Sequence, residues 1–234
     1  MPELTSCRPG GGPAPVQKGK ALTENAVVDL LGVLAYGELT AFDRLAEDAR
    51  MAPTTAGRAA LAKMAAAEIG HFGLLCDRLS ELGADPEKAM SPFAAPIDAF
   101  HDGTRASTWL EGLVKAYVGD GLAADFYREV ANFLDESTRT LVLAVLADTG
   151  HASFAVREVR AAIRADPAVG GRLALWARRL VGEALAQSQR VIAERDQLAE
   201  LLITGTGDLA GVADLLKRIT AAHTARMSQL GLSS

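Results

Sequence analysis

The chain has 234 residues, 49% of them hydrophobic but only 5% aromatic, and a formal net charge of −5. That length bounds one compact domain with a sizeable core. The dominance of alanine and leucine favours helix over sheet, and the acidic balance argues against a dedicated nucleic-acid binder.

Two cysteines, Cys7 and Cys76, are too few for a disulfide framework and match no zinc spacing. Residues 1–22 are rich in Gly and Pro and are expected to form a disordered arm. They lack the apolar stretch of a secretory signal, and no apolar run reaches the ~18 residues of a membrane span. The expected location is the cytoplasm, with no membrane partner.

Helical periodicity then takes over. A first helix is predicted from about 23 to 51, capped by Thr23 or Asn25, with apolar residues at Val27, Leu31, Leu34, Ala41 and Leu45. A second starts at a Thr54 or Thr55 cap and stops at Gly83. A polar crossover occupies about 84–107, where Pro86, Pro92 and Pro96 argue against a continuous long helix. A third helix is predicted from about Thr108 to Phe133. A fourth runs from near Ser137 to near Arg164, ended by Asp166-Pro167 and Gly170-Gly171. A fifth continues from about Arg172 into Leu202. The sequence TGTGD is a linker, and residues 209–230 read as a terminal amphipathic helix.

Two short links and one long crossover between the second and third helices are the connectivity of a ferritin-like four-helix bundle. The expected class is therefore all-α: a bundle over 23–203, followed by a linker and an amphipathic helix over 204–234. The bundle also reads as a duplication. The first pair of helices carries AYGEL and AEIGH, and the second carries AYVGDGL and ADTGH.

The acids in these words fall on apolar stripes. On the second helix Leu61, Met64, Glu68, His71 and Leu75 recur at alternating spacings of three and four. Residues three apart on a helix are separated by about 60° around its axis, so Glu68 and His71 share a face. Glu38 lies in the first helix's stripe, Asp120 in the third's, and Asp148 with His151 in the fourth's. Buried carboxylates need compensating charge, and no Lys or Arg lies on these stripes near them. Two divalent cations would balance four carboxylates. One acid per helix, with an acid-x-x-His on two of them, is the ligand set of dinuclear carboxylate sites. The expected metal ligands are Glu38, Glu68, His71, Asp120, Asp148 and His151, with Asp125 as an alternative. Gly37, Gly70, Gly119 and Gly150 each adjoin a proposed ligand, which suggests close helix approach or local distortion there.

With these residues in view, the stretch from about Ala26 to Leu230 resembles the ferritin-like superfamily. Within it the chain is similar to the actinobacterial proteins related to MiaE, the hydroxylase of isopentenylated adenosine in tRNA. AYGELTAFDRLAEDA, VKAYVGDG, ADTGHASFAVREVRAAI and GGRLALWARRLVGEAL carry the resemblance. It implies two iron ions (or manganese), O₂ as co-substrate, a monooxygenase reaction on an organic or tRNA substrate, and an electron-donor protein. The chain departs from the superfamily in having Asp120 and Asp148 where Glu is usual. The alternatives are an iron-oxidising or iron-binding protein and a non-catalytic, metal-stabilised binding module.

Tyr36, Tyr117 and Tyr127 lie near the ligands in sequence, as core packing or as hydrogen-bond donors. His101 and His223 read as structural or surface residues, and Trp109 and Trp176 as anchors of helix ends. Arg157, Arg160, Arg164, Arg172, Arg178 and Arg179 form a ridge that reads first as solvated surface, although it could contact phosphates. LAQSQRVIAERDQL presents a polar face suited to solvent or a homodimer interface.

Overall fold

The computed structural model describes residues 16–147 and 151–233, with side chains from residue 24 onward and excluding that of His151. Every regular element among the described residues is helical. In chain order these are α1 (Val16–Asp48), a short 3₁₀ turn (Ala49–Met51), α2 (Thr55–Glu81), α3 (Pro86–Gly103), α4 (Trp109–Ala131), α5 (Glu136–Val145), α6 (His151–Ala165), α7 (Ala168–Glu194), α8 (Asp196–Thr206) and α9 (Leu209–Leu230). Cys7 and most of the expected N-terminal arm lie outside the described residues.

Side-chain caps set several helix starts. Thr54 accepts from the Gly57 N–H at 3.0 Å and Thr108 from the Glu111 N–H at 3.2 Å. Asp85, Asp135 and Asp208 play the same part for α3, α5 and α9. α9 ends at Gly231, whose positive φ of 78° closes the helix while Leu232 N–H donates to the Met227 carbonyl.

Three expectations need correction. First, the crossover holds an 18-residue helix, α3, with Pro92 and Pro96 inside it. Pro92 brings no N–H to the Lys88 carbonyl, and the Ser91 hydroxyl donates there instead at 3.4 Å. Pro86 occupies the first turn, where a missing N–H costs nothing. Second, the fourth helix is not continuous, because α5 ends at Val145. Arg128 of α4 donates to the Leu146 carbonyl at 3.0 Å, which a continuing helix would offer to the N–H of residue 150. Ala147-Asp148-Thr149-Gly150 also has turn composition rather than that of a helix interior.

Third, the fifth helix breaks at Arg195 (φ −131°) into α7 and α8, and α8 extends into the expected linker as far as Thr206. At the break Arg195 donates from Nε to the buried Asp29 at 3.0 Å and lies over the Phe93 ring. Trp176 therefore sits within α7 rather than at its start, its Nε1 donating to the Glu111 carbonyl at 3.0 Å.

The core has two layers. Leu30, Leu31, Leu34, Leu75, Leu79, Phe93, Val130, Val142 and Leu198 form one. Leu45, Leu61, Met64, Leu113, Val159, Leu180, Met227 and Leu230 form the other. α1, α2 and α4 each pass from one layer to the other, and the residues between their two contributions are those that carry acids. α1 leaves the first layer at Ala35 and enters the second at Leu45, with Glu38 between. α2 passes from Ala65 to Leu75, with Glu68 and His71 between. α4 passes from Val118 to Val130, with Asp120 and Tyr127 between. α1 and α2 are each long and apolar enough by composition to cross a membrane. In the bundle they pack on each other and carry the acids of one site.

Candidate metal centre

Glu38 on α1 and Glu68 and His71 on α2 converge, with one ligand atom from each lying within 4.8 Å of the others. His71 Nδ1 is 3.4 Å from Glu38 Oε2 and 3.6 Å from Glu68 Oε2. Donor atoms that share one metal at about 2.1 Å stand roughly 3–3.5 Å apart, so these separations fit a common ion. Glu38 Oε2 and His71 Nδ1 are buried and have no hydrogen-bond partner. Buried polar atoms in native proteins are nearly always satisfied, and two unpartnered donor atoms this close together fit a shared cation.

Burial pushes the carboxyl groups of both Glu38 and Glu68 well above the ordinary range. The neighbouring Glu38 carboxyl adds to the shift at Glu68, while His71 partly opposes it. Without metal Glu68, raised to about 9, therefore holds its proton at neutral pH, while Glu38, raised to about 7, is near its midpoint.

Asp120 lies within electrostatic reach of this cluster. It raises the Glu38 carboxyl, and its own carboxyl is raised well above normal, first by burial and then by Glu68. Asp120 is nevertheless exposed to solvent as a residue. A Cβ built on Gly37 or Gly119 would meet nothing within 4 Å. The glycines beside the ligands thus leave room, which corrects the expectation of close helix approach. Gly70 is open in the same way, and Gly150 lies outside the described residues.

The structure does not bring the remaining expected ligands into view. Asp148 lies outside the described residues, as does the side chain of His151, whose backbone opens α6. Asp125 is not an alternative ligand. It pairs with Arg226 of α9 and, at 3.3 Å, with Arg128.

Residues 21–205 match the family described as the ferritin-like domain of actinomycetes. The chain belongs to that family. Among solved structures, this ferritin-like protein is similar to a Synechococcus protein described as having aldehyde deformylating oxidase activity. The TM-score is 0.69 at 21% identity, over 91% of this chain and 93% of the other. No curated protein matches the chain.

The ferritin-like bundle also contains site neighbours that the sequence reading missed. Lys115 is 8% exposed, and its charge reaches both Asp48 and Asp120. Lys115 lies off the inward stripes, so the expectation that no Lys or Arg lies on them stands, yet a buried cation is within reach of the acids. A lysine inside the apolar run LVKAYV was the available signal. Tyr127 sits beside Glu38, where burial first and the Glu38 charge second keep its phenol protonated. The Tyr36 hydroxyl instead donates to Asp98 at 2.9 Å, and the Tyr117 hydroxyl bonds Gln229. His101 is structural: it bonds Thr40 through Nε2 at 3.2 Å, and burial lowers it to about 3, so it stays neutral.

Proposed function

We propose that this ferritin-like protein is a non-haem di-iron carboxylate enzyme that uses O₂ to hydroxylate or otherwise oxidise an organic substrate. The observation that carries the proposal is the Glu38–Glu68–His71 cradle, with its two buried, unpartnered donor atoms. Glu38, Glu68 and His71 would hold one iron, with Asp120, Asp148 and His151 completing the place of the second. Manganese suits the same oxygen and nitrogen donors. When bound, the metals supply the redox chemistry that reduces O₂ and oxidises the substrate.

The chain's own residues supply the setting. The two apolar layers exclude bulk water above and below the acids. The space beside Gly37 and Gly119 gives a substrate room next to Asp120. Tyr127, near Glu38 and kept protonated by burial, would supply a hydrogen-bond donor rather than a proton. The structural likeness to a protein with aldehyde deformylating oxidase activity supports an oxidative reading at the level of the fold. The resemblance to MiaE-related proteins makes hydroxylation the reaction type and tRNA the first macromolecular substrate to test. Electrons would come from a separate donor protein, in the cytoplasm.

The test is anaerobic loading with Fe(II), followed by exposure to O₂. The proposal expects two irons per chain, a ferric charge-transfer absorption on oxygenation, and loss of iron in His71→Ala. A chain that binds no iron, or binds it without any response to O₂, would leave a ferritin-like scaffold used for binding alone.

A further inference from the structure

A second site lies beyond the C-terminal end of α1. A cavity of about 260 Å³ opens there, lined by Arg44, Glu47, Asp48, Arg50, Arg105 and Lys115 among others, and it shares no residue with the metal cradle.

Its charges do not balance internally. Of the four cations, Arg44 is engaged by Glu47 at 3.1 Å, and Arg105 leans on Asp102 at 3.7 Å. Among the described residues Arg50 has no ion-pair partner, and it is exposed. Lys115 is the decisive member. It is 8% exposed, and its ammonium makes one hydrogen bond, to the Thr104 carbonyl at 2.9 Å, leaving two of three N–H donors without a protein acceptor. The Phe100 ring, 5.5 Å from its nitrogen, covers another side. Arg44 Nε is likewise buried without a partner. Of the two lining acids, Glu47 pairs with Arg44, while Asp48 lies within electrostatic reach of Lys115 and Arg44 and has no carboxylate hydrogen bond among the described residues. Gly112 makes room for it, since a Cβ there would come within 2.7 Å of Asp48 Oδ2. One such acid does not neutralise Lys115 and Arg50 together.

A buried ammonium with spare donors, an orphaned guanidinium N–H and an excess of positive charge around a small cavity make a receptor for negative charge. We propose that this cavity binds a small organic anion, carboxylate or phosphate, held by Lys115 with Arg44 and Arg50 at its rim. The site is separate from the metal centre but near it. Arg44 follows Glu38 on α1 by about 9 Å of helix rise, and Lys115 precedes Asp120 on α4 by about 7.5 Å.

The test is calorimetric titration of the full chain with potassium phosphate and, separately, potassium succinate, before and after iron loading. Binding tighter than about 1 mM is expected for at least one of them, and which one binds distinguishes phosphate from carboxylate recognition. Lys115→Met should weaken it about tenfold and Arg50→Gln about threefold. Asp48→Asn, which removes a negative charge from the wall, should tighten it severalfold. Lys88→Gln, at the far end of α3, should change nothing. If Lys115→Met fails to fold, the exposed Arg50→Gln and the sign of the Asp48→Asn effect still decide. The inference is overturned if neither anion binds, or if Arg50→Gln and Asp48→Asn both bind as the parent does. Iron content is a separate readout, so failure here leaves the di-iron proposal standing, and failure of that proposal leaves this one standing.

Discussion

Removing metal from the Glu38–Glu68 pair should reverse the way stability depends on pH. Unfolded, both carboxyls titrate near 4.5. In the metal-free fold, Glu38 is raised to about 7 and Glu68 to about 9, chiefly by burial. A raised carboxyl means that the folded state binds more protons than the unfolded state between these values. Its contribution is therefore fully present below about pH 4.5 and is lost as pH rises through about 7 and then 9. The side chains are 12% and 14% exposed, so solvent screening is modest. One proton retained from pH 5 to pH 7 corresponds to roughly 2–3 kcal/mol. For a chain of this size that is a fall in Tm of roughly 5–10 °C.

Asp48, raised to about 6, adds a decline of the same sign, so the comparison needs a partner variant. The assay is calorimetric melting of EDTA-treated protein at pH 5, 6, 7 and 8, beside Glu38→Gln/Glu68→Gln. The parent should lose several degrees more than the variant over this range. With Mn(II) bound the carboxyls are ionised, metal binding releases protons, and stability should rise with pH instead. Equal slopes in parent and variant would refute the protonated, desolvated pair.

Other outcomes follow from the packing. Arg195→Met strands the buried Asp29 carboxylate and should cost about 3–5 kcal/mol in urea unfolding, whereas Arg195→Met with Asp29→Leu should recover most of that. Gly121→Ala would drive a Cβ into Arg226 and should destabilise by about 1–3 kcal/mol, while Gly37→Ala meets open space and should stabilise by up to about 1 kcal/mol. Asp125→Asn should leave iron content unchanged, because its partners are Arg226 and Arg128, whereas Asp120→Asn should lower it. Iron per chain measured on purified variants checks the last pair.

The parts of the fold that were legible in the sequence are those set by periodicity. The stripes through Leu31, Leu34 and Glu38, and through Leu61, Met64, Glu68 and His71, are the ones that pack. The acid-x-x-His word placed its two side chains on one face as helix geometry requires. The α9 boundaries were readable because Asp208 caps one end and Gly231 closes the other.

The misses have tertiary causes. α5 ends where Arg128, eighteen residues earlier in the chain, takes a carbonyl. The α7–α8 break is set by Asp29, 166 residues away, and Glu-Arg-Asp carries no turn signal. α3 survives two prolines because a local serine and the surrounding helices support it. Lys115 escaped notice because it lies off the stripe of Leu113, Tyr117 and Asp120. Its burial comes from Phe100 and Thr104, in a segment expected to be an irregular crossover.

The measurement that bears most directly on the central claim is iron bound per chain after anaerobic loading, with the optical spectrum followed on admission of O₂. Two irons and a new ferric absorption, both lost in His71→Ala/His151→Ala, are the predicted result. No bound iron in the parent chain, or iron retained in full by that double variant, would contradict the account.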